Sequence, residues 1–181
     1  MRKLSNAELN RITKEQFPFI KKMPLVLVLD NIRSHLNVGS IFRSCDAFPV
    51  QAMYLCGITG TPPHRDIQKT ALGATETVSW RYFQHTEEAV NCLKENHYTV
   101  VALEQAEGAL SLQDVDKLIS KAPLAFIIGN EVEGVAQQVV SMSDVCVEIP
   151  QHGTKHSLNV AVSAGILLWE LSKHFLLVPS C

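Results

Sequence analysis

Four short stretches of this chain place polar side chains or glycines directly after an apolar run. They are Asp30 through Asn37, Val38 and Gly39; Glu104 with Gln105; Gly129, Asn130 and Glu131 with Gly134; and Ile149, Pro150 and Gln151 through Asn159. Glycine lets a backbone approach a ligand closely, and a turn that leads into a helix offers free N–H groups. The last stretch, IPQHGTKHSLNVAVSAGILLWEL (149–171), says most. Its loop carries one glycine, two histidines and one lysine, and Ser157 and Asn159 stand at the mouth of a helix that is apolar on nearly every face. The common nucleotide fingerprints are missing: no G-x-G-x-x-G follows a strand, and Gly153, Thr154 and Lys155 come in the wrong order for a phosphate loop. His152 and His156 lack a third ligand nearby, so no metal site is expected.

Those turns need a scaffold, and the hydrophobic pattern supplies one. PLVLVLD (24–30), VQAMYLCG (50–57), YTVVALE (98–104), PLAFIIGN (123–130) and DVCVEIP (144–150) are apolar runs of strand length, and TVSWRYF (77–83) alternates like a strand. Between them, NVGSIFRSCDAF (37–48), a short piece around Ile67, Ala71 and Leu72, TEEAVNCLKENH (86–97) and VAQQVVSM (135–142) have helical spacing, and the stretch after residue 157 forms the last helix. Runs that are apolar on both faces belong in a parallel sheet covered on both sides. The alternation of strands with helices predicts an α/β domain with a mostly parallel sheet and helices on both faces. In such sheets ligands gather at the carboxyl ends of the strands, where all four polar turns lie. Ser5, Asn6, Ala7 and Glu8 read as a capping box, so a short N-terminal helical extension is expected over residues 1–23, before a single domain over 24–175.

Composition agrees with a compact domain. Hydrophobic residues make up 46% of 181 and charged residues 19%, which excludes a disordered chain. No run reaches the length of a membrane span and the N-terminus lacks the apolar core of a secretory signal, so a cytoplasmic protein is expected, with no membrane partner. The cysteines (Cys45, Cys56, Cys92, Cys146, Cys181) have no disulfide or zinc spacing and read as reduced thiols. Trp80, Trp169 and the phenylalanines read as core. A net charge of −2 opposes a strongly basic nucleic-acid binder, although Arg2, Lys3, Arg11, Lys14, Lys21 and Lys22 give the first 22 residues a positive excess.

Three segments carry a resemblance. NVGSIFR (37–43), IIGNEVEGV (127–135) and the 149–171 stretch, in this order, resemble the three motifs of SpoU-type (TrmH-type) RNA ribose 2′-O-methyltransferases of the SPOUT superfamily, over about residues 24–171. The resemblance implies a C-terminal trefoil knot in the α/β domain, a homodimer through the last helix, S-adenosyl-L-methionine (AdoMet) held in the knot, and tRNA or rRNA as substrate. It places the cofactor against Leu103, Gly129, Ile149 and Leu158. Arg43 becomes the chief catalytic candidate, either activating the ribose hydroxyl or, since a guanidinium is a poor base, gripping phosphate and developing negative charge. Asn37, Glu131, Ser157 and Asn159 fill the remaining polar positions, with Glu131 expected to orient an arginine. The alternative is a catalytically inactive knotted RNA-binding scaffold, which the presence of Arg43, Glu131, Ser157 and Asn159 disfavours.

Overall fold

A computed structural model describes residues 1–176, leaving Cys181 outside the described residues. The strands are β1 Met23–Asp30, β2 Val50–Cys56, β3 Trp80–Phe83, β4 Thr99–Leu103, β5 Leu110–Ser111, β6 Leu124–Gly129 and β7 Val145–Glu148. The helices are α1 His35–Ala47, α2 Arg65–Ala71, α3 Thr86–Glu95, α4 Asp116–Ile119, α5 Gln137–Met142 and α6 Val160–Phe175. All the strands pair in parallel in one sheet of order β3-β2-β1-β6-β4-β7-β5. The α/β expectation is met.

The apolar runs form the middle of this sheet because both of their faces can be buried. Leu25, Leu27 and Leu29 of β1 join the core cluster on the side of α1, α2 and α6, while Val26 and Val28 join the opposite cluster under α3 and α5. β6 divides in the same way, Phe126 and Ile128 to one side and Ala125 and Ile127 to the other. Parallel register brings the carboxyl ends of β1, β6 and β4 level: Asp30 pairs with Gly129, and Leu103 with Ile128. The polar turns therefore emerge along one edge. Among the described residues no helix is long and apolar enough to cross a membrane.

Several expectations need correction. The N-terminal helix is only a 3-10 turn at Asn6–Leu9 and another at Phe17–Phe19. Glu8 does reach back to the Ser5 N–H, at 2.8 Å, but Asn10 adopts φ 45° and ends the turn. Phe17 of this segment is buried in the core. β3 starts three residues late, since the Val78 N–H closes the preceding turn onto the Ala74 carbonyl. The segment between β4 and β6, left unassigned by its mixed pattern, holds β5, a 3-10 turn at Leu112–Asp114 and α4. Trp169 and Phe19 are not core: they are 52% and 89% exposed.

Candidate functional site

Where β4, β6 and β7 end, their loops enclose a cavity of about 310 Å³. Leu103, Glu104 and Gln105 come from the end of β4, Ile128 to Gly134 from the end of β6 and its loop, and Glu148, Ile149, Gln151 and His156 to Leu158 from the end of β7. Val160 and Ser163 of α6 close the floor. Of the residues singled out in the sequence, Leu103, Gly129, Ile149, Leu158, Glu131 and Ser157 all line this cavity. Arg43, Asn37 and Asn159 do not.

Asn37 and Asn159 are nevertheless tied to it. The Asn37 amide donates to the Glu131 carboxylate, and the Asn159 amide donates to the Asn37 carbonyl oxygen at 3.3 Å. Each asparagine also sits at a helix start. Ser34 caps α1 by accepting from the Asn37 N–H at 3.3 Å, and the Asn159 side-chain oxygen caps α6 by accepting from the Ala161 N–H at 2.9 Å. One chain of side chains thus links α1, the loop after β6 and α6. The expectation that Glu131 orients an arginine is corrected: its partner is Asn37. Arg43 lies exposed on α1, and it joins none of the ion pairs found among the described residues. Its helical offset of six residues from Asn37 turns it away from that chain.

The loop after β6 is shaped almost wholly by acceptors. Asn130 accepts from the N–H groups of Val132 and Glu133, both at 2.9 Å, and its carbonyl accepts from the Gly134 N–H at 3.0 Å. The Glu104 carboxylate takes the Val135 N–H at 2.9 Å. Asp30, buried at the end of β1, takes the Ala136 N–H at 3.0 Å with one oxygen and the Thr86 hydroxyl at 2.6 Å with the other. These acceptors hold residues 134–136 out of helical geometry, so α5 begins at Gln137 and not at Val135. Glycine at 129 is required for a different reason than ligand space. A Cβ there would stand 1.9 Å from the Gly134 carbonyl carbon, so this residue's small size lets the loop fold back on β6.

Glu133 and Glu148 were not legible as site residues, and Glu104 only as a polar strand end. Glu104, Glu133 and Glu148 line the cavity beside Glu131, giving it a negative rim. For Glu104 and Glu148 the signal was positional, a glutamate at the end of an apolar run. Burial and then the Glu104 charge push the Cys146 thiol up, which opposes thiolate formation there. His152 and His156 are exposed on the loop after β7, and among the described residues no group of three His, Cys, Asp or Glu side chains is placed to hold a metal ion.

The cavity offers apolar walls for a flat ring (Leu103, Ile128, Ile149, Leu158), strand-end backbone groups for its polar edge, and carboxylates for cationic charge. Comparison with known proteins adds the chemistry. Residues 24–169 match the model of the SpoU rRNA Methylase family. A tRNA (guanosine(18)-2′-O)-methyltransferase of Thermus thermophilus is 31% identical over 173 residues, covering 96% of this chain and 86% of the relative. A 23S rRNA (guanosine-2′-O-)-methyltransferase of Ralstonia nicotianae is 30% identical, covering 89% of this chain and 63% of the relative. Among solved structures, the AdoMet-bound rRNA methyltransferase from Sinorhizobium meliloti superposes with a TM-score of 0.78 at 26% identity, covering 88% of this chain and 60% of that one. The A. aeolicus TrmH/SpoU tRNA modifying enzyme gives 0.75 at 25% identity, with coverage of 84% and 76%.

Proposed function

The chain belongs to the SpoU rRNA methylase family, and from that premise we propose that it transfers a methyl group from AdoMet to a ribose 2′-hydroxyl in tRNA or rRNA. The convergence of three strand ends on one acid-rimmed cavity is the observation that carries this reading. AdoMet bears a sulfonium and an ammonium against one carboxylate, so Glu104, Glu131, Glu133 and Glu148 suit its net positive charge. Leu103, Ile149 and Leu158 would sandwich the adenine, and backbone groups near Gly129 and Ile149 would meet its edge. When bound, the cofactor supplies an electrophilic methyl.

The chain's own residues then hold the acceptor. Arg43 grips the RNA phosphate and stabilises the negative charge that develops on the ribose oxygen, a task for which a permanently charged guanidinium is suited. Its exposure and its absence from the internal ion pairs support that outward role. Glu131, Asn37 and Asn159 fix α1, the β6 loop and α6 relative to one another, and so fix Arg43 relative to the cavity. Ser157, on the cavity wall, completes the polar set. No metal takes part in this scheme.

The working form we propose is a homodimer. On α6, Val162, Ile166 and Trp169 are 50%, 38% and 52% exposed and recur at helical spacing on one face, which a second copy would cover. Membership of the family supports a C-terminal trefoil knot formed by the segment after β7. Residues 24–175 act as the methyltransferase domain, the basic extension over 1–23 contributes to RNA binding, and a tRNA or rRNA substrate supports a cytoplasmic protein. The test is a map of 2′-O-methylated nucleotides in cellular RNA with and without the gene. Loss of a defined methylated ribose is expected, and identical maps would refute the assignment.

A further inference from the structure

We propose that Glu104 and Gln105, the two residues after β4, are positioning residues that hold two walls of the cavity in register; the inference rests on reading that cavity as the AdoMet site. Glu104 acts on one wall. One oxygen accepts from the Val135 N–H at 2.9 Å, and the other accepts from the Gln105 N–H at 2.9 Å. The approach is so close that a Cβ at Gly134, where φ is +67°, would lie 2.1 Å from the Glu104 carboxylate. Gln105 acts on the other wall. Its side-chain amide donates to the His156 carbonyl at 3.0 Å. Among the described residues this is the one hydrogen bond made by residues 151–158, the segment that carries Ser157 and Leu158.

A dipeptide at the end of a buried central strand therefore sets two loops that are far apart in sequence. β4 is a suitable anchor because Val100, Val101 and Ala102 are fully buried and the Glu104 N–H is itself bonded to the Val147 carbonyl of β7 at 2.9 Å. Releasing Gln105 leaves the 151–158 segment without its tether. If the tethered arrangement then falls to about a tenth of the population, apparent cofactor affinity falls about tenfold.

The experiment compares wild type with Gln105→Ala, Gln105→Glu, Glu104→Ala and Glu104→Gln. We expect the Gln105 variants to raise the Kd and KM for AdoMet about tenfold, with KM for RNA and thermal midpoint held near wild type. Glu104→Gln, which keeps an oxygen for the Val135 N–H, should raise the Kd for AdoMet less than Glu104→Ala does, the remaining rise reflecting the negative charge lost from the rim. A role confined to fold stability would lower the midpoint and the active fraction without moving the AdoMet KM, and that result overturns the proposal. A second readout needs no cofactor. Trypsin cleavage after the exposed Lys155 should be several times faster in Gln105→Ala, and equal cleavage rates would overturn the tether even in a protein that takes no AdoMet. Failure of wild type to bind AdoMet would instead strike the cofactor reading.

Discussion

Asn37 connects three elements at the site: α1, the loop after β6 and the start of α6. It donates to Glu131, accepts from Asn159, and stands in the first turn of the helix that carries Arg43. Glu131 and Asn159 lie 94 and 122 residues away in the chain, so no local pattern could have shown that they meet. The three were legible as polar positions at strand ends, but their mutual bonding was not, and the natural guess of a Glu–Arg pair failed for that reason. Asn159→Ala removes both the α6 cap and the bond to Asn37, and should cost about 1 kcal/mol in denaturant unfolding. Arg43→Ala should behave differently. Because Arg43 is exposed and outside the internal ion pairs, its loss should leave stability and AdoMet affinity unchanged while methyl transfer falls by at least about a hundredfold. Calorimetry and a methyl-incorporation assay measure the two halves of that expectation, and full turnover would remove Arg43 from the mechanism.

Among the elements, α6 has two faces with separate tasks. Ala164, Leu167, Leu168 and Leu171 are fully buried within the domain, whereas Val162, Ile166 and Trp169 remain exposed. Composition alone showed a helix too apolar for solvent; it could not show which stripe lacked a cover, and so Trp169 was misplaced in the core. Leu167→Ala should destabilise by about 2–5 kcal/mol, the cost of a buried cavity. Ile166→Glu with Trp169→Glu should leave the domain folded but shift sedimentation from dimer to monomer; a monomeric wild type would refute the proposed pairing. The strands were easily read because β1 and β6 are buried on both faces, while two-residue β5 lies below any periodic signal. At the end of β2, burial pushes the Cys56 thiol up to about 12 from an ordinary 9.0. The unfolded chain ionises this thiol first, so its contribution to stability is intact below about pH 9 and is lost as pH rises toward 12. Thermal midpoints taken across that window should fall less steeply for Cys56→Ala than for wild type.

For the molecule as a whole, the charge balance poses the main physical question. A chain of net charge −2 with an acid-rimmed cavity has to meet a polyanion, so attraction must come from local cations and not from the total. The N-terminal stretch offers Lys3, Arg11 and Lys21 on exposed chain, whereas Arg2 is already paired with Glu8 at 2.6 Å and Lys14 with Glu76 at 2.7 Å. Phe17 anchors the segment in the core, so the arm should be tested by neutralising charge and not by deletion through residue 22. Lys3→Gln, Arg11→Gln and Lys21→Gln together should raise KM for RNA and flatten its salt dependence with KM for AdoMet unchanged; unaltered RNA kinetics would dismiss the arm. In the proposed reaction the cavity presents a methyl donor to a ribose hydroxyl beside Arg43. The most direct measurement incubates the protein with AdoMet carrying an isotopically labelled methyl and RNA from cells lacking the gene, then digests the RNA to nucleosides for mass spectrometry. The account predicts label on a ribose O2′ with wild type and none with Arg43→Ala. Label on a base, or on no nucleoside at all, would contradict it.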